Sequence, residues 1–158
     1  MKNGVMDNLR TLCLQVRAFR AHYTKGDYEK GLKLYKQIID SGHPNINAYW
    51  GMGVCHRMLG DNESAEVAAK EALKIKPDYF KALQLLATIS SEQDKDEITY
   101  KYVSRALSNI PRWPADDEDD NPWISWATDF KLKYESRNPD KVQVLTKRVH
   151  SDAPEGGA

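Results

Sequence analysis

Only two of the 158 residues are cysteine, Cys13 and Cys55, and they stand far apart with no CxxC pair. They fit reduced intracellular thiols better than a disulfide framework. Net charge is absent too: lysine plus arginine and aspartate plus glutamate number 23 each. No global basic field exists to hold nucleic acid. Long apolar runs are also missing. Nothing approaches the roughly 20 apolar residues needed to span a bilayer, and Met1 to Arg20 has no apolar core for a signal sequence. The expectation is a cytoplasmic protein without a membrane span. The motifs of common catalysts are lacking as well: no GxSxG, P-loop, Rossmann glycine fingerprint or HExxH occurs. Neither cysteine has an identifiable base. The chain is therefore expected not to be an enzyme, with no catalytic residues, no cofactor and no metal.

What is present is a period. Gly-Asp occurs at Gly26-Asp27 and again at Gly60-Asp61, one 34-residue step apart, followed by Gly31 and Ala65 in matching places. Ala-Leu-x-x-x-Pro keeps the same step, from Ala72-Leu73 and Pro77 to Ala106-Leu107 and Pro111. A fixed period of this length with these residue types resembles the tetratricopeptide repeat, a helix-turn-helix unit. The resemblance implies an all-α fold: a right-handed α-solenoid of three helix pairs plus a C-terminal capping helix.

Registered on the markers, the repeats run about 12–44, 46–78 and 80–111. The second matches the family best, through Tyr49, Met52, Gly53, Gly60, Asp61, Ala65, Ala72, Leu73 and Pro77. Gly53 and Ala65 are small where two helices must nest. In the first repeat, Gly31 replaces the alanine at about 1 kcal/mol of helix propensity, and Pro44 arrives one residue late. The third keeps Leu83, Leu86, Ala87, Ala106, Leu107 and Pro111. It has Asp94 in place of the turn glycine and Thr99 in place of the alanine, so its turn is expected to be looser.

After Pro111 the period stops. Asp116 to Asp120 is a run of five acidic residues, expected as an exposed loop. Asn121-Pro122 reads as N-cap and first helical residue. Trp123, Trp126, Ala127, Phe130 and Tyr134 then share one face of a helix at about 122–136, suited to cap the last repeat. The repeat domain thus covers 8–136. The tail, 137–158, is expected to be partly disordered, with a weak cap signal at Asn138-Pro139 for a short helix at 139–148.

His22 and His56 occupy equivalent slots one period apart. Equivalent positions in adjacent helix pairs lie about 8–10 Å or more apart, whereas zinc–nitrogen bonds are about 2.0–2.1 Å. Packing between helices is the better reading for both. His43 is a turn residue and His150 a tail residue.

The resemblance also implies a binding surface, because in this family the first helix of each pair lines a concave groove. Carried over, the first repeat presents Val16, Arg17, Arg20 and Tyr23. The second presents Asn47, Trp50, Val54, Arg57 and Met58. The third presents Lys81, Gln84 and Leu85. Arginine and aromatic residues are favoured interface anchors. The bland alternative is that some of these side chains only pack against the next repeat. The family's two-carboxylate clamp for chaperone tails is not implied, since Val16, Arg20, Gly51 and Leu85 depart from its pattern and only Lys81 agrees. The expected function is a non-enzymatic adaptor or scaffold that holds a peptide segment of a partner, with acidic and apolar residues, in this groove. The alternatives are a small chaperone for a secreted or assembly-prone partner, or a self-assembling scaffold.

Overall fold

The computed structural model describes residues 4–42, 45–110 and 121–151. The chain folds as two compact units, Met1–Pro111 and Arg112–Ala158. All regular structure among the described residues is helical.

The first unit holds six helices: α1 (Gly4–Phe19), α2 (Tyr28–Asp40), α3 (Ile46–Met58), α4 (Asn62–Ile75), α5 (Phe80–Glu92) and α6 (Asp96–Leu107). A π-helical turn, Arg20–Thr24, extends α1. Short turns fold each helix back on the one before. Each helix packs on its chain neighbours, and α3 also meets both α1 and α5. The first helices of the three pairs therefore form one layer.

The Gly-Asp marker has a mechanical reading. Gly26 and Gly60 adopt positive φ, +64° and +83°, which ends the first helix of a pair. The following aspartate caps the second helix: Asp27 accepts from the Lys30 amide at 3.1 Å and Asp61 from the Ser64 amide at 3.0 Å. Asn45 caps α3 in the same way, accepting from the Ala48 amide at 2.9 Å.

The third turn is not looser. Asp94 takes the glycine's left-handed backbone itself, at φ +54°, a conformation aspartate tolerates better than most residues. Its amide bonds the Ser91 carbonyl and that of Lys95 bonds Ser90, as Gly60 bonds Arg57 and Asp61 bonds His56. The first turn differs, because the Asp27 amide reaches one residue further, to Ala21. The π-helical turn supplies that extra residue.

The alanine slot of the second helices is filled by compensation. A Cβ added at Gly31 would lie 2.9 Å from Cys55 Sγ and 3.3 Å from His22 Cβ. Glycine stands there because the helices it faces carry larger side chains. Thr99 fits the same slot in the third pair because its partner is small: its hydroxyl donates to Ser90 Oγ at 2.9 Å, and Ser90 donates to the Ala87 carbonyl. The resulting core comes in linked patches. One joins Ala18, Ala21, Leu34, Tyr35, Ile38, Ala48 and Cys55. The next joins Ala65, Ala69, Leu85, Leu86 and Ile89.

The second unit contains α7 (Pro122–Arg137) and α8 (Pro139–Ser151). Asn121 caps α7 by accepting from the Trp123 amide at 3.0 Å, with Pro122 in the first turn. Trp123, Trp126, Phe130 and Tyr134 form a ladder of rings with centroids 5.7–6.3 Å apart. α8 starts at Pro139, where the Asn138-Pro139 signal placed a short helix, and runs to Ser151, beyond the expected end at 148. Pro44, His43, Pro111 and the acidic run 116–120 lie outside the described residues.

Candidate functional site

The first-helix layer gathers most of the expected groove residues, but in different states. Val16, Arg17, Arg20, Tyr23, Asn47, Met58 and Lys81 are exposed. Trp50, Val54, Arg57 and Gln84 are half-buried. Leu85 is only 7% exposed. It fills the second core patch, where its Cδ2 would lie 2.8 Å from a Cβ on Gly53. It is therefore placed to support the layer from behind rather than to touch a ligand. Gly51 is buried as well, because the ring of Tyr35 from α2 occupies the space above it.

Trp50 is the hub of the layer. Its ring packs edge-on to His22 at 6.2 Å, and Lys81 Nζ stands 4.8 Å over its face. A cation over an indole is attracted by the ring quadrupole, so Trp50 ties the π-helical turn to α5. Two more contacts join α3 to the third pair. Tyr79 donates to Asn47 Oδ1 at 3.0 Å, and Arg57 pairs with Glu92. These partners sort the cations. Arg57 is neutralised and Lys81 is engaged by Trp50. Arg17 and Arg20 have no ion pair among the described residues. Tyr79 was not foreseen, since nothing in its sequence neighbourhood marks it as a partner of a residue one repeat away.

Beneath this layer lies a buried polar pair. His22 Nδ1 lies 3.2 Å from the Ala18 carbonyl, which can only accept. The same nitrogen lies 3.0 Å from the Tyr35 hydroxyl. Burial holds His22 below its ordinary value of 6.5, against the opposing pull of the Ala18 carbonyl. Burial also pushes Tyr35 well above its ordinary range and the Cys55 thiol up to about 12. Cys55 is thus a protonated packing residue at neutral pH. Cys13 is exposed. His56 sits 3.3 Å from Asp61, so the two equivalent histidines have different neighbours. Among the described residues, no group of three or more histidine, cysteine, aspartate or glutamate side chains could hold a metal ion. No helix there is long and apolar enough to cross a membrane.

The sign of the His22 effect can be tested. The unfolded chain takes up this proton at a higher pH than the folded chain. The contribution of neutral His22 is complete above about pH 6.5 and is lost as pH falls from there toward the lower folded value. The melting temperature is expected to drop between about pH 7.5 and pH 5, and His22→Gln is expected to flatten that drop. An equal drop in both proteins, measured by circular dichroism, would place the titrating group elsewhere.

No family model matches the chain, and its similarity to known proteins is distant and partial. The chain is 25% identical over 97 residues to the Protein CTR9 homolog of Arabidopsis thaliana. The match covers 59% of this chain and 9% of that protein.

Proposed function

We propose that the first unit is a short right-handed solenoid of three tetratricopeptide pairs that binds a peptide segment of a partner protein on its first-helix layer. In this reading the chain is a cytoplasmic, non-enzymatic adaptor. The observation that carries the proposal is the state of Trp50. It is half-exposed, held by His22 on one side and Lys81 on the other, and therefore presented in a fixed orientation. A rigid aromatic surface loses little side-chain entropy on binding. Val54 and Met58 extend the apolar area along α3, and Arg17 and Arg20, without an ion pair among the described residues, offer charge for acidic groups. The role of Arg57 is narrower than its residue type suggests, because Glu92 already satisfies its charge.

The test is affinity capture from native lysate with the wild-type chain and with Trp50→Ala combined with Arg17→Glu, compared by mass spectrometry. The expected result is one or more partners lost in the variant while its helical circular dichroism is unchanged. Captured partners should also weaken with added salt without vanishing, since charge is screened and apolar contact is not. Partners retained equally by both proteins would move the site off this layer.

A further inference from the structure

The first helix carries a seam that its own unit leaves open. Leu9, Leu12, Val16, Phe19 and Tyr23 are all exposed, Tyr23 by 73% and Val16 by 61%. They recur in alternating steps of three and four residues. That is the spacing by which one helix presents a narrow seam to another. The seam runs about 21 Å at 1.5 Å per residue. Opposite it, Ala18 and Ala21 are buried in the core, so the helix is anchored by one face and open on the other. Phe19 and Tyr23 stack with centroids 4.9 Å apart, which fixes the broad end of the seam.

Charge selects what could cover it. Arg10, Arg17 and Arg20 lie along one flank, exposed and without an ion pair among the described residues. Asp7 is the one acid between Gly4 and Thr24. A second copy of this helix would bring three further arginines to the contact and almost no acid, a like-charge juxtaposition. A lipid surface is the rival occupant, and the vesicle control tests it. We propose that this seam docks an acidic amphipathic helix of a partner protein, with apolar residues spaced to match Leu9–Tyr23 and glutamates or aspartates facing Arg17 and Arg20. The proposal shares Val16 and Tyr23 with the groove but stands on Leu12 and Phe19, which the groove does not use, so the two readings can fail separately.

The experiment uses the full chain, labelled for amide NMR. The probe is a synthetic helical peptide of about 18 residues, enough to cover the seam, with leucine at heptad-spaced positions and glutamate elsewhere. Controls are a scrambled peptide of the same composition, the lysine-for-glutamate version, and phosphatidylserine vesicles. The expected result is shifts confined to residues 9–23. Leu12→Ser with Phe19→Ser should weaken binding about tenfold or more, the scale of interface anchors. Arg17→Glu with Arg20→Glu should weaken it about fivefold or more in low salt. Met58→Ala, at an exposed position on α3 outside the seam, should leave it within about twofold. All the substituted seam residues are exposed, so circular dichroism should show unchanged folding. Equal binding of the scrambled or lysine peptide overturns the proposal, as does vesicle binding without peptide binding. Self-association of the chain that disappears in Leu12→Ser with Phe19→Ser overturns it in favour of a second copy. Loss with Met58→Ala but not with the seam variants assigns the helix to the groove instead.

Discussion

Gly51→Ala is expected to lower stability by about 2–3 kcal/mol, although alanine is the better helix former. The substitution should gain about 1 kcal/mol of propensity in the middle of α3. Against that, the new Cβ would lie 2.3 Å from Tyr35 Cζ and under 3 Å from both flanking ring carbons. The ring cannot swing aside cheaply. It is buried, and its hydroxyl is tethered to His22 on the π-helical turn. Overpacking should therefore win, and the melting temperature should fall by about 5–10 °C for a chain of this size. The double variant Gly51→Ala with Tyr35→Ala should cost less than the two single changes added together, because truncating the ring removes the clash. A melting temperature that rises in Gly51→Ala would show that the ring has room to move and that propensity decides this position.

Ala65→Leu should cost about 1–3 kcal/mol by the same kind of overpacking. Ala65 is fully buried in α4, and its carbonyl lies only 3.2 Å from where a Cβ on Gly53 would stand. Three extra carbons have nowhere to go without separating α3 from α4. The control is two residues away: Val67 is exposed, so Val67→Leu should change stability by less than about 0.5 kcal/mol. Thermal unfolding of both variants reads out the register of α4. If Val67→Leu proved costly and Ala65→Leu neutral, the helix would be turned the other way from the one described.

Much of the helical framework was readable in the chain. Gly-Asp pairs mark the ends of helices because glycine accepts positive φ and aspartate can bond free amides, and both are local properties. Three-to-four spacing gave α7, and Asn121-Pro122 gave its start. Trp50 stood out by residue type on a first helix. Val16, Leu12 and Phe19 share a spacing visible in sequence, yet their exposure was not, since the same spacing describes a buried face.

The sequence by itself determined that the chain is helical, where most of its helices begin and end, and which residues repeat in equivalent places. Tertiary structure decided what those places contain. Gly31 looks like a weak helix residue until Cys55 and His22 are seen to need its missing methyl. Gly51 in sequence only departs from the clamp pattern, whereas in the fold the Tyr35 ring fills the space beside it. Leu85 looks like a ligand contact until it is found beneath Gly53. Arg57 looks like a free cation until Glu92, a full repeat away, neutralises it. Caps, turns and periodicity act between residues a few positions apart, so the linear order of the chain carries them. Volume complementarity and charge pairing act between residues on different helices, and only the packed structure brings those residues together.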